Sequence, residues 1–175
     1  ATVLQNVEPL SVSIAENVAG TSKNIDREKV IEAMNKAGLS YKLDQVPKGI
    51  DTQMTRNIYE DGTLFSGGEN QKLAIARAIY RTDAKALIMD EPTAALDALA
   101  EEKIYKDLEN ISQGKTLIFI SHRLASTRFC DKIMLLDGGK IREMGSHEKL
   151  IAKNGLYKEM YESQRKYYKE EANEK

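Results

Sequence analysis

The residues with chemistry in their types and spacing lie between Leu64 and Asp97, in the stretch LFSGGENQKLAIARAIYRTDAKALIMDEPTAALD. Ser66 precedes Glu69 by the interval of a capping box, just ahead of the apolar-periodic run Leu73, Ala76 and Ile79. A helix that opens on Ser66-Gly67-Gly68 presents bare backbone N–H groups and a positive dipole end, which suit a phosphate. Farther along, Asp90 and Glu91 close the apolar run Ala86-Leu87-Ile88-Met89. Carboxylates at the carboxyl end of a buried parallel strand lie where open α/β sheets take ligands. Asp90 could hold a hard cation, largely through water, and Glu91 could polarise a water as a general base. Either feature alone is ordinary: Ser-Gly-Gly is a common flexible cap, and Asp-Glu often marks a strand meeting solvent. Both in this order, followed by Pro92 and Leu96-Asp97, point to nucleotide chemistry.

The rest of the chain supplies elements that could position these groups. Thr2 to Gln5 reads as the end of a strand. Asp26 to Ala37 reads as a capped helix with Val30, Ala33, Met34 and Ala37 on one face and Gly38 at its stop. Tyr41 to Val46 leads to Pro47, Gly49 to Thr52 is turn-rich, and Asn57 to Gly62 reads as a loop. A helix is expected from Asp97 to about Asn110, with Leu99, Ala100, Ile104 and Leu108 inward. Thr116 to Ile120 is a continuous apolar run expected to be a parallel strand buried on both faces, ending at Ser121-His122. Lys132 to Asp137 is a further strand, and Asp137-Gly138-Gly139-Lys140 signals a hairpin into Ile141–Met144. Ser146 caps a short helix ending near Gly155, a last helix starts near Leu156, and the Lys-, Glu- and Tyr-rich tail from Glu162 is expected to fray. Strands alternating with helices predict parallel βαβ units, with a helical insertion after the first strand.

Composition sets bounds. At 175 residues, 41% hydrophobic and 30% charged, the chain is globular rather than disordered. With a net charge of −1, nothing points to nucleic acid or an anionic membrane surface as an electrostatic partner. The single Cys130 forms no internal disulfide and reads as a small buried apolar residue. No apolar run approaches the ~20 residues of a membrane span, so a place at a membrane requires other polypeptide.

These residues resemble the ATP-binding cassette (ABC) ATPases. FSGGE is similar to their signature motif, usually LSGGQ; ALIMDE is similar to the Walker B strand with its catalytic glutamate; AALD is similar to the D-loop. The resemblance implies a partial P-loop NTPase (RecA-like) α/β core with a mostly parallel sheet, plus the family's helical subdomain. It divides the chain into core strand and Q-loop (1–8), helical subdomain through the signature helix (9–82), core with Walker B, D-loop and H-loop (83–155) and C-terminal helix and tail (156–175). It assigns ATP and Mg²⁺ as ligands, with Asp90 and Gln5 toward the metal, Glu91 as general base and His122 as the switch at the γ-phosphate. Ser66, Gly67, Gly68 and Glu69, with Asp97 at the seam, would contact nucleotide held by a second nucleotide-binding domain in a head-to-tail dimer. His147 lacks any such context and reads as an exposed first-turn helix residue. Two positions depart from the usual signature: Phe65 for Leu, which keeps an apolar anchor, and Glu69 for Gln, which adds charge near a phosphate but completes the capping box.

Within the family, SIAENVA, ISHRLAST and GSHEKLIAKNGLYKEMY resemble the exporter branch, whose helical subdomain meets the transmembrane domain at the cytoplasmic face of the cell membrane. No GxxxxGK[ST] P-loop occurs in the chain. Gly114-Lys115-Thr116 has Glu109 where the first glycine is required, and follows a helix instead of a strand. The expectation is a nucleotide-binding domain truncated before the Q-loop, poor at binding ATP alone, with a sheet edge prone to self-association. Two alternatives have less support. A lobe of a split ABC-type ATPase of chromosome maintenance or repair should be entered through a heptad coiled coil, which Ser11 to Gly38 lacks. A non-catalytic module that completes a partner's site would not need both Glu91 and His122.

Overall fold

A computed structural model describes residues 1–5, 8–92 and 114–173, with side chains as far as 166. Asp97 and the helix expected up to Asn110 lie outside the described residues. The chain divides into two units, Ala1–Ile120 and Ser121–Lys175.

In the first unit, strands β1 (Thr2–Val3), β2 (Ala86–Asp90) and β3 (Thr116–Ile120) form a parallel sheet in that order. Thr2 lies opposite Ile88, and Asp90 opposite Ile120. Val3, Leu87 and Met89 are buried on one face, with Leu117 and Phe119 packed against the same core. The side chains on the other face are more exposed: Ile88 is 37% exposed, Ile118 46% and Ile120 50%. The expectation that Thr116 to Ile120 is buried on both faces is therefore corrected. Among the described residues helices cover one face only, and a run of apolar side chains does not reveal which faces are covered.

Between β1 and β2 the described residues make four helices and a short 3₁₀ turn (Gly49–Asp51). Helix α1 (Ile14–Ala19) opens on a second capping box, Ser13 with Glu16. Its buried Asn17 holds the preceding loop: the side-chain amide donates to the carbonyls of Leu10, Val12 and Ser13, and its oxygen accepts from Leu10 N. Helix α2 (Arg27–Lys36) has the expected Asp26 cap and buries Val30, Ala33 and Met34. Helix α3 (Ser40–Gln45) was not foreseen; it stops because Val46, before Pro47, is extended. Helix α4 (Gly67–Tyr80) buries Leu73, Ala74, Ile75, Ala76 and Ala78.

The second unit holds a 3₁₀ segment (Leu124–Phe129), the antiparallel hairpin β4 (Ile133–Asp137) and β5 (Lys140–Gly145), and helices α5 (His147–Ala152) and α6 (Leu156–Asn173). The hairpin turns through Gly138 and Gly139 at φ 55° and 72°, a left-handed backbone that glycine adopts without a steric cost. Leu124, Ile133, Leu135, Leu150 and Tyr157 form its core. Helix α6 continues to Asn173, aided by a Lys158–Glu162 pair and by Gln164, which bonds both the carbonyl of His122 and the amide of Leu124.

His147 is also corrected: it is half-buried, and its Nδ1 lies 2.8 Å from the Tyr157 hydroxyl. Tyr157 is fully buried, so its hydroxyl needs polar partners, and Thr127 Oγ1 at 2.7 Å supplies the second. Glu143, 8% exposed, accepts from Tyr157 N at 2.9 Å, at the start of α6. That backbone N–H, aided by Lys153, holds the Glu143 carboxyl below its ordinary 4.5. A depressed carboxylate contributes stability above its unfolded pKa, and the contribution is lost as pH falls through the lower folded value. Glu143→Gln should therefore lose less stability than the parent on acidification below about pH 4.5. Thermal melts across that range check this; parallel acid limbs for parent and variant would contradict it.

Candidate functional site

The phosphate-suited loop is built by the start of α4. Ser66 is extended, its Oγ accepts from Glu69 N at 3.3 Å, and its own N–H donates to Glu69 Oε2 at 2.8 Å. The capping box expected from the sequence is thus complete, and Gly67 and Gly68 form the first turn, where backbone N–H groups lack intrahelical acceptors. Glu69 has further partners: Lys42 Nζ at 3.0 Å and the Tyr41 hydroxyl at 3.0 Å, both on Oε1. Lys42 also lies over the buried Phe65 ring, 5.1 Å from its centroid. Burial acts to raise the Glu69 pKa, but the Ser66 N–H, Lys42 and Tyr41 outweigh it and hold the carboxyl below its ordinary value.

The acidic strand end is held from three sides. Gln5 Nε2 donates to Glu91 Oε2 at 2.8 Å, joining the residues after β1 and β2. Glu91 N donates to Ile120 O at 2.9 Å, and Glu91 O accepts from Gln71 Nε2 at 2.9 Å. Between those two bonds Glu91 adopts φ 46°, the left-handed region that non-glycine residues rarely occupy. Gln71, 3% exposed on α4, is a residue that sequence reasoning missed. Its signal was available: a lone polar side chain on the helix's buried face, in step with Ile75 and Ala78, needs a partner inside the fold.

Gln5, Asp90 and Glu91 are thus brought together, and α4 ties the Ser66–Glu69 loop to the same strand end. His122 is exposed and belongs to the second unit, where its carbonyl accepts from Gln164 Nε2 at 2.7 Å. Asp97 is outside the described residues. Among the described residues no group of three or more His, Cys, Asp and Glu side chains converges as a metal cage. The donors at the strand end, carboxylates and an amide oxygen, nevertheless suit Mg²⁺, which takes one or two carboxylates and completes its shell with water and phosphate.

The profile of the ABC transporter family matches residues 1–94. The chain belongs to the ABC transporter family. Among its relatives is the ATP-dependent lipid A-core flippase of Shewanella frigidimarina, 41% identical over 165 residues, which covers 94% of this chain and 27% of the flippase. The protein of the same description from Alcanivorax borkumensis is 41% identical over 162 residues, covering 92% of this chain and 27% of the relative. Among solved structures, a bacterial Atm1-family ABC exporter with ATP bound superposes with a TM-score of 0.81 at 32% identity, over 94% of this chain and 28% of the exporter. The chain therefore spans about 27% of the length of the curated relatives it matches. The mixed α/β class with a parallel sheet, expected from the sequence, is the fold of this ABC neighbour. No described helix is long and apolar enough to cross a membrane.

Gln71→Leu should lower the unfolding free energy by about 1–3 kcal/mol, because the part-buried Glu91 carbonyl loses its donor. Urea denaturation of the 175-residue chain checks this, and an unchanged midpoint would contradict the role given to Gln71.

Proposed function

We propose that this chain is the later part of an ABC exporter's nucleotide-binding domain, and that the whole domain hydrolyses ATP to drive transport. The observation that carries the reading is the 2.8 Å bond from Gln5 to Glu91 beside Asp90, which gathers a Q-loop residue and two carboxylates at one strand end. Asp90 and the amide oxygen of Gln5 would hold Mg²⁺, which when bound neutralises the phosphate charge. Glu91 takes the proton of the attacking water, and the Gln5 amide keeps the receiving carboxylate in one orientation. His122 meets the γ-phosphate. Ser66, Gly67 and Gly68, with Glu69 behind them and Asp97 at the seam, face nucleotide held by a second domain.

The P-loop that cradles the β- and γ-phosphates is not among these 175 residues, so the isolated chain holds ATP weakly. The helical segment from 9 to 82 docks on a transmembrane domain at the cytoplasmic face of the membrane. The exposed apolar side chains of Leu10, Ile58, Tyr59 and Leu64 support that role. The cargo is set by the transmembrane domain, so the lipid A-core substrate in the relatives' names is not carried over. The net charge of −1 supports a protein partner over nucleic acid.

In the full-length transporter, Glu91→Gln should lower kcat for ATP by about 10²–10⁴-fold with little change in KM, since the amide cannot accept the proton. Steady-state phosphate release checks this. A kcat within about twofold of the parent would overturn the assignment of Glu91 as base.

A further inference from the structure

The signature loop departs from the family's usual spelling at two positions, Phe65 and Glu69, and one side chain touches both. Lys42 comes from α3, in the helical segment, far from the loop in sequence. Its ammonium lies 3.0 Å from Glu69 Oε1 and 5.1 Å from the Phe65 ring centroid. The Lys42 and Glu69 side chains are only 14% and 15% exposed, whereas the Arg27–Asp51 pair on the same unit is 58% and 53% exposed. An ion pair so shielded is screened little by salt, and losing one partner leaves a charge that water cannot fully solvate.

A glutamine could fill the same cap without a charge. A glutamate there brings a negative charge to the loop that opens onto a phosphate, and like charges repel. Tyr41 adds a neutral hydrogen bond to Glu69 but no countercharge. Lys42 supplies it, and the aromatic ring at position 65 gives the same ammonium a favourable face.

We propose that Lys42 is a positioning residue of the signature, the countercharge that lets this loop receive a second domain's nucleotide phosphate with Glu69 in place. The proposal rests on the reading that Ser66–Gly68 face that nucleotide. It also makes α3 a tether: a displacement of the helical segment that withdrew Lys42 would leave the Glu69 carboxylate at the phosphate without its countercharge.

The test is a four-variant cycle in the full-length transporter, all carrying Glu91→Gln to suppress hydrolysis. The readout is the Mg-ATP concentration that half-saturates association of the two nucleotide-binding domains, followed by site-specific fluorescence transfer. Lys42→Met should raise that concentration about tenfold, since the Glu69 charge is then unopposed. Glu69→Gln keeps the cap and serves as the background in which the charge opposed by Lys42 is absent. Lys42→Met added to Glu69→Gln should stay within about twofold of Glu69→Gln alone, and Lys42→Arg, which keeps the charge, should stay within about twofold of the parent. A purely structural role for Lys42 predicts equal losses with and without Glu69→Gln, and that result overturns the proposal, as does a Lys42→Met variant equal to the parent. Should the parent itself show no nucleotide-driven association, the reading of the signature fails first, and the proposal falls with it.

Discussion

The site depends on how the backbone of Glu91 is pinned. A residue with a side chain at φ 46° costs on the order of 1–2 kcal/mol, and it persists where neighbours leave no alternative. Here the neighbours are the Ile120 carbonyl, which takes the Glu91 N–H, and the Gln71 amide, which donates to the Glu91 carbonyl. The left-handed residue comes directly after Asp90, where β2 ends, and its carboxylate accepts from Gln5. The hydrogen bonds act only if α4 lies against the sheet, and the apolar face of α4, with Leu73 and Ile75 fully buried, keeps it there. About two such side chains contribute roughly 3–6 kcal/mol of burial, more than the strain they help to hold.

That arrangement links two jobs through one helix. The start of α4 carries the loop proposed to face a partner's nucleotide, and its second turn carries the glutamine that fixes the proposed base. A shift of α4 would therefore disturb both, without any residue touching both nucleotides. The Lys42 tether adds the helical segment to the same chain of contacts, through a half-buried pair.

What was legible in the sequence was local. Capping boxes, the Gly138-Gly139 turn and the α2 stripe are written within a few residues, so the Ser66–Glu69 cap, the hairpin and α2 appeared where expected. The strand end Asp90-Glu91 was legible because an apolar run and its terminus are also local. What needed the fold was every partner distant in sequence: Gln71 on Glu91, Lys42 on Glu69, and Tyr157 on His147, whose short helix gave no hint of a buried hydroxyl beneath it. The more exposed face of β3 was illegible for the same reason, since Ile118 and Ile120 look alike whether a helix covers them or not. The anchoring of α6 was illegible too, because a charged tail reads as solvated, while Gln164 and Tyr161 hold the helix to the rest of its unit.

The central claim is that the chain carries halves of two different sites, a loop for one nucleotide and a base for another. A mixed dimer of tagged full-length copies tests it by complementation of phosphate release. With Glu91→Gln in one copy and Gly67→Asp in the other, one site keeps both its base and its signature, and close to half of the parent activity should remain. With both changes in the same copy, each site has lost one component, and activity should fall to background. The reverse pattern, activity retained only when both changes share a copy, would mean that loop and base serve the same nucleotide and would contradict the account.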